Sequence, residues 1–159
     1  MELKDLIRPE LILSSVSAET DEEALKQISE RLLQKGNVEK GYFEMLLARE
    51  RKFPTGLETA PFAVALPHTE PDYVVRPCIA IAKLKKPVSF LEMAGSGREV
   101  QVHYIFNLVL QKSEQQLELL QLLMGVFSNE NIMKSLEKEE RPEEIAKILS
   151  NRKESRKEN

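Results

Sequence analysis

The feature that most constrains the fold of this 159-residue chain is an apolar run that ends in a proline. Residues 62–66 read Phe-Ala-Val-Ala-Leu, and Pro67 and then His68 follow them. Because proline has no N–H for a sheet ladder, the pattern predicts a short buried strand that ends at Pro67. Open α/β sheets bind their ligands just beyond the carboxyl ends of strands. We therefore expect His68 to lie in a binding or active site.

Other apolar segments predict further strands. Residues 11–13 and 78–82 are short apolar runs. Residues 102–110 form a longer run with β-branched and aromatic side chains, which is typical of a strand covered on both faces. Lys-Lys-Pro at 85–87 and Gly-Ser-Gly-Arg at 95–98 predict turns.

Helical spacing of apolar residues predicts the remaining elements. Starting in chain order, the predicted helices begin at Ser17 or Thr20, near residue 39, at Ser113, at Asn129 and at Pro142. Helices before, between and after strands predict one layered α/β domain over residues 1–150, with a mixed, mostly parallel sheet flanked by helices on both faces. The charged segment 151–159 has no apolar residue, and we expect it to be disordered.

Composition excludes several functional classes. The chain is 42% hydrophobic and 31% charged, as in ordinary globular proteins, and its net charge of -3 gives no basic face for nucleic acid. Its single cysteine, Cys78, allows no internal disulfide. The N-terminus lacks the apolar core of a signal peptide, and no run reaches membrane-spanning length. We expect a cytoplasmic protein that is monomeric or weakly associating.

His68 is the candidate for chemistry. An imidazole is both a neutral nucleophile and a proton carrier near pH 7. The alternative is a hydrogen-bonded loop residue without a chemical role, and spacing alone leaves both open.

Three segments around His68 resemble a known signature. Arg-Glu at 49–50, Phe-Pro-Thr-Gly-Leu at 53–57 and Ala-Val-Ala-Leu-Pro-His at 63–68 are similar to the active-site pattern of enzyme IIA domains of the sugar phosphotransferase system. The branch is the fructose–mannitol superfamily (type 2), and the wording is most similar to galactitol-type members. The resemblance runs from near residue 5 to near residue 150.

This resemblance implies a fold and a function. The implied fold is that of mannitol-type enzyme IIA. The implied activity is a phosphotransferase relay, in which His68 accepts a phosphoryl group from the phosphocarrier protein HPr and passes it to a cysteine of enzyme IIB. That transfer drives uptake of a sugar or sugar alcohol through a membrane enzyme IIC, without direct membrane insertion of this chain. No metal or cofactor is needed, because alignment and charge stabilisation carry such a transfer.

The same resemblance assigns residues to the phosphoryl group. Arg49 is expected to supply a cation and Thr55 a hydroxyl donor. Without the resemblance, Arg49 reads equally well as a solvated helix-end residue and Thr55 as a turn residue. Mannitol-type relatives have a second histidine at the start of the helix after the long strand, where this chain has Gln116, or Gln115 if the alignment shifts by one. An amide still donates a hydrogen bond but carries no charge, so we expect a softer electrostatic site.

His103 and Cys78 have bland interpretations that we favour. His103 lies inside the long predicted strand, either beside His68 or as a buried or edge histidine with its own hydrogen bond. Cys78 sits in an apolar run and reads as a small buried hydrophobe, and its spacing to the histidines fits no zinc motif.

Two functional classes stay open at this point. One is the transport relay, with apolar residues such as Phe53, Leu57 and Tyr73 forming a docking surface for partners. The other is a regulatory module that signals its phosphorylation state through protein contacts. A third class, metal-dependent hydrolysis, has too few ligands.

Overall fold

A computed structural model of the protein describes residues 2–150. Its strands are β1 Ile12–Val16, β2 Gly56–Leu57, β3 Ala63–Ala65, β4 Cys78–Leu91 and β5 Glu99–Val109. Its α-helices are α1 Asp21–Gln34, α2 Tyr42–Lys52, α3 Ser113–Phe127, α4 Glu130–Lys138 and α5 Pro142–Ser150. Short 3₁₀ helices lie at Leu3–Asp5, Pro9–Leu11 and Pro71–Tyr73.

The strands form one sheet in the order β1-β4-β5-β3-β2. β1 pairs with β4 in parallel and β3 with β5 in parallel, whereas β4–β5 and β2–β3 are antiparallel. The predicted mixed α/β sheet is confirmed. Strand β3 is the predicted run that ends at Pro67, and β5 is the predicted long strand.

Alternating side chains of β4 separate two hydrophobic cores. Small residues, Cys78, Ala80 and Ala82, face one cluster with the buried residues of α1 and α2. Ile79 and Ile81 face the other cluster, with α3, α4 and α5. Because successive side chains of a strand point to opposite faces, one apolar strand serves both layers. The predicted placement of helices on both faces is confirmed.

Side-chain caps begin two of the helices. The Thr20 Oγ1 accepts a hydrogen bond from the Glu23 N–H at 3.2 Å, so Thr20 and not Ser17 is the cap of α1. The Asn129 Oδ1 accepts one from the Ile132 N–H at 3.1 Å at the start of α4. Each oxygen satisfies a backbone donor that has no partner inside its helix.

The predicted turn at residues 85–87 is wrong. β4 continues through Lys85, Lys86 and Pro87 as exposed residues, with its register against β5 shifted between Lys83 and Val88. The parallel partner β1 pairs only as far as Leu84, so this part of β4 is an edge. Proline is tolerated in a strand at such an edge or bulge, because no ladder hydrogen bond is lost there. The turn predicted at 95–98 is confirmed between β4 and β5.

Two further expectations concern membrane-spanning helices and the C-terminal segment. Within residues 2–150, no helix has both the length and the apolar character needed to cross a membrane. The expected disorder of 151–159, and with it the domain boundary at 150, lies outside the described residues and stays a prediction.

Candidate functional site

His68 lies beyond the carboxyl end of β3, as its position after Pro67 predicts. It forms an isolated parallel bridge with Leu108 of β5, and the Leu108 N–H donates to the Pro67 carbonyl at 2.9 Å. The side chain of His68 is half buried at the carboxyl end of β3. The backbone that carries it is held on one side by β5.

A cavity of about 170 Å³ opens at His68. Its walls come from the end of α2, the segment that follows it, and the turn after β4. The lining residues are Arg49, Glu50, Phe53, Pro54, Thr55, His68 and Met93. Three of the side chains singled out from the sequence thus share one pocket, although 19 positions separate Arg49 from His68.

The pocket favours a neutral His68 ring. Burial lowers the pKa of His68, Arg49 lowers it further, and the backbone of Pro67 and Leu66 raises it in part. A ring with a pKa below its ordinary value of 6.5 is uncharged at pH 7. Its Nδ1 atom is buried and makes no hydrogen bond of good geometry within the described part of the chain.

Arg49 is the cation of this pocket. Its side chain is 31% exposed, and its Nη1 lies 3.9 Å from Oε1 of Glu70, which is itself half exposed. The guanidinium carbon lies 5.5 Å from the ring centre of Phe53, a cation–π distance. These contacts are weak and solvated, so the guanidinium can turn toward an anion at His68 at little cost.

Thr55 has a different arrangement from the expected one. The residue is 5% exposed, and its hydroxyl donates to Glu50 Oε1 at 2.8 Å. Its backbone N–H donates to Glu50 Oε2, also at 2.8 Å. The hydroxyl hydrogen is therefore committed to a carboxylate, and donation to a phosphoryl oxygen would require that bond to be exchanged.

Glu50 also lines the pocket, although the sequence pattern gave it no role beyond its place in the Arg-Glu pair. Its carboxyl is buried, and desolvation raises its pKa to about 7 although both hydrogen bonds from Thr55 lower it. A signal was present in the sequence. Glu50 continues the i, i+4 stripe of Tyr42 and Leu46, the buried face of α2. A carboxylate on such a stripe is rare unless it has dedicated partners.

A buried hydrogen-bond network fixes the residue after His68. The hydroxyls of Tyr42 and Thr69 lie 2.6 Å apart. The amide of Asn107 on β5 donates to the Tyr42 oxygen at 2.9 Å, and Asn107 is fully buried. Thr69 is thereby tied to α2 and to β5 at once, which restrains the backbone that carries His68.

The other candidate residues lie away from the cavity walls. Gln115 and Gln116 are half buried in the first turn of α3 and do not line the cavity. His103 lies near the middle of β5, where its ring contacts Phe62 at 5.6 Å between centroids. It lies five positions before Leu108, a distance of about 17 Å along a strand.

The surroundings of His103 and Cys78 test the interpretations favoured from the sequence. The Nδ1 of His103 is buried without a hydrogen-bond partner in residues 2–150, and the ring packs against Phe62. Cys78 is fully buried, and burial raises the pKa of its thiol to about 12. The thiol is un-ionised at neutral pH and packs as a small hydrophobe, as predicted.

Comparison with known proteins defines the class of this molecule. The fold aligns with enzyme IIA domains: the complex of enzyme IIA and phosphorylated enzyme IIB for mannitol from Escherichia coli gives a TM-score of 0.73 at 22% identity, covering 91% of this chain and 97% of that one. The nitrogen regulatory protein IIA-Ntr from Neisseria meningitidis gives a TM-score of 0.72 at 26% identity, covering 92% and 97%. The expected mannitol-type fold is confirmed.

Sequence comparison then identifies the family. Residues 5–152 match the model of the phosphoenolpyruvate-dependent sugar phosphotransferase system, EIIA 2. The galactitol-specific EIIA component of Escherichia coli K12 is 30% identical over 125 residues, which cover 79% of this chain and 83% of that protein. The chain belongs to the EIIA type 2 family of the sugar phosphotransferase system.

Proposed function

We propose that this chain relays a phosphoryl group from HPr to a cysteine of enzyme IIB, for uptake of a galactitol-like sugar or sugar alcohol. The observation that carries the proposal is the position of His68, half buried at the sheet edge and sharing a cavity with Arg49. The kinship with a galactitol-specific component and the fold shared with an enzyme IIA–IIB complex support it.

The proposed chemistry needs only a neutral imidazole. With its pKa lowered, His68 carries one ring proton and offers a lone pair on the other nitrogen. Because Nδ1 is the buried nitrogen, we assign the attack to Nε2. The Nε2–P bond forms as the donor's N–P bond breaks, and a cysteine thiolate of enzyme IIB later takes the group and returns the ring to its neutral state.

Arg49 stabilises the transferred group in this proposal. Its guanidinium has the fork geometry that matches phosphoryl oxygens, and its contact with Glu70 is loose enough to be exchanged. Thr55 contributes either its hydroxyl, after exchange with Glu50, or the shape of the wall. Gln116 does not line the cavity; the proposal gives it the role of an amide donor because α3 starts just after the strand that carries Leu108, the bridge partner of His68.

Apolar side chains around the cavity form the docking surface in this proposal. Phe53 is 54% exposed and Met93 is 37% exposed, and both line the cavity of His68. Leu57 and Tyr73 are half buried. A small exposed apolar rim suits partners that must bind and leave in turn.

A regulatory role is the second candidate function. The observation that favours it is the fold shared with IIA-Ntr, named a nitrogen regulatory protein. In this case His68 accepts the same phosphoryl group, and the phosphorylated state alters a contact with a target protein.

Mass measurement after incubation with enzyme I, HPr and phosphoenolpyruvate tests the relay. We expect one added phosphoryl group that is acid-labile and absent from His68→Ala. The matched control is His103→Ala, which removes the histidine outside the pocket and is expected to label normally. Labelling of His68→Ala at the wild-type level would contradict the proposal.

A second step separates transport from regulation. The phosphorylated chain is mixed with a galactitol-type enzyme IIB, and the phosphoryl group is followed on both proteins. Rapid discharge to the enzyme IIB cysteine supports transport. A phosphoryl group that stays on His68 in the presence of that acceptor supports the regulatory role.

A further inference from the structure

Glu50 is a buried acid in the pocket for which the transfer chemistry above has no use. It is 4% exposed and belongs to the buried face of α2. Burying a carboxylate is costly unless hydrogen bonds or a cation compensate for the lost water. A leucine at this position would complete the apolar stripe of α2 without that cost. The buried carboxyl of Glu50 therefore indicates a specific role for this residue.

The two oxygens of Glu50 hold a single residue. One accepts the Thr55 N–H and the other the Thr55 hydroxyl, each at 2.8 Å. These two hydrogen bonds restrain the segment that connects α2 to β2. Residues 53–55 of that segment therefore form a fixed wall of the cavity.

Thr55 passes this restraint toward the histidine. Its carbonyl accepts a hydrogen bond from the Leu66 N–H at 3.2 Å, two residues before His68. The order of contacts is Glu50, Thr55, Leu66 and then His68. Tertiary contacts thus tie the end of α2 to the strand end that presents the ring, independently of the Tyr42 network on the other side.

The charged groups around Glu50 are of both signs. Arg49 and His68 share its cavity, while the charges of Asp21 and Arg51 act on it from α1 and from the next position of α2. Asp21 is itself bound to Arg51, with Nη1 to Oδ2 at 2.7 Å. No ion pair to Glu50 is present in the described residues, so its compensation comes from Thr55.

We propose that Glu50 is a positioning residue for transfer at His68, which rests on the proposed function: it holds Thr55 and the 53–55 wall, and its charge tunes the field that an incoming phosphoryl group meets. Desolvation raises the pKa of Glu50 to about 7, so this charge changes near neutral pH. An ionised Glu50 repels a phosphoryl dianion, and a neutral one does not.

Two substitutions separate the hold from the charge. Glu50→Gln keeps an oxygen for the Thr55 N–H and an NH₂ for its hydroxyl oxygen, but it removes the charge. Glu50→Ala removes both. The matched control is Glu44→Gln, at an exposed position of the same helix. Melting curves establish that each variant is folded, and Thr55→Val, which removes the hydroxyl alone, replaces Glu50→Ala if that variant does not fold.

Labelling rates from HPr over pH 6–8 give the decisive readout. We expect Glu50→Ala to transfer at least about tenfold more slowly than wild type at every pH, because both hydrogen bonds that hold Thr55 are lost whether or not the carboxyl is ionised. The ratio of the Glu50→Gln rate to the wild-type rate is expected to rise severalfold with pH, since only wild type acquires the repelling charge. A merely structural role would not change this ratio with pH. Wild-type rates in folded Glu50→Ala, or a ratio that does not vary with pH, would overturn the proposal.

A measurement without phosphoryl transfer keeps the two hypotheses apart. The NMR shift of the Thr55 amide is expected to titrate near pH 7 in wild type and to stay constant in Glu50→Gln. If wild type is not labelled but this titration is seen, the relay fails and the hold of Glu50 on Thr55 stands. If labelling occurs and the Thr55 amide does not titrate, the inference about Glu50 fails alone.

Discussion

Arg49 shares the cavity of His68 and its positive charge acts on the ring, and at the residue scale its role is open to a direct test. Replacing it with alanine is expected to slow phosphoryl transfer by about 10- to 100-fold, the range for one charge-assisted contact. Arg49→Lys retains the positive charge but lacks the planar guanidinium, so its transfer rate should lie between those of wild type and Arg49→Ala. Rates are measured by labelling from HPr at a fixed pH.

The control for Arg49 is its neighbour Arg51. That side chain points to α1, where it binds Asp21 at 2.7 Å. Arg51→Ala removes an equal charge two positions away and is expected to leave the transfer rate within about twofold of wild type, because screening weakens exposed charges at a distance. Equal slowing by both variants would mean that net charge, and not a contact at His68, sets the rate.

Tyr42 carries the buried network behind His68. Tyr42→Phe leaves Thr69 and Asn107 without their shared partner, and an unsatisfied buried polar group costs about 1–3 kcal/mol. We expect the free energy of unfolding, measured with urea, to fall by that amount. Tyr73→Phe, at a half-buried tyrosine, should change it by less than about 0.5 kcal/mol. An unfolding free energy for Tyr42→Phe equal to that of wild type would show that the network carries no net stability.

At the scale of elements, a lysine of the sheet ends a helix. The Lys83 Nζ donates to the carbonyls of Leu136, Glu137 and Glu139, at 3.2, 2.6 and 2.8 Å. These carbonyls belong to the end of α4, where a helix leaves its last acceptors unpaired and favours a cation. One strand side chain therefore attaches α4 to the sheet.

Lys83→Met is expected to destabilise the protein by about 1–3 kcal/mol, since it removes this cationic cap and its three hydrogen bonds from the end of α4. Lys85→Met is the control, because Lys85 is exposed on the same strand. Urea unfolding of both variants measures the difference. If the two variants are equally stable, the three carbonyl contacts add nothing that water does not replace.

At the scale of the whole molecule, the buried acid makes stability depend on pH. The pKa of Glu50 is raised from 4.5 to about 7 on folding, so the folded state binds more protons than the unfolded state between those values. Stability from this group is full below pH 4.5 and is lost as the pH rises to about 7. The loss is about 3 kcal/mol at most.

Glu50→Gln isolates this effect. The variant is expected to gain stability relative to wild type as the pH is raised from 5 to 8, as seen in urea unfolding at each pH. His68 acts in the opposite direction, because its lowered pKa makes the unfolded state bind the extra proton, and stability rises as the pH approaches 6.5. That contribution is common to both proteins and cancels. A constant stability difference between them would place the Glu50 pKa outside this range.

Local signals were sufficient for much of the fold. The strand that stops before Pro67, the cap Asn129, and Pro142 at the start of α5 follow from the backbone chemistry of single residues, whereas the cap of α1 was left between Ser17 and Thr20. The position of His68 beyond a strand follows in the same way. The turn predicted at residues 85–87 was wrong because a proline interrupts a central strand but is tolerated at the edge of a sheet. Which strand segment lies at an edge depends on strand order, and the local sequence does not specify strand order.

The sequence by itself determined where most helices and strands lie, their apolar faces and the reactive residue type, because those depend on neighbours within a few positions. Only the tertiary structure decided that Glu50 takes the Thr55 hydroxyl, that Gly56 meets the Leu91 carbonyl so closely that an added Cβ would lie 2.7 Å from it, and that His103 lies far from His68. Such pairings depend on strand order and on the approach of distant segments. A hydrogen bond forms only where packing brings donor and acceptor together, and no local pattern contains that distance.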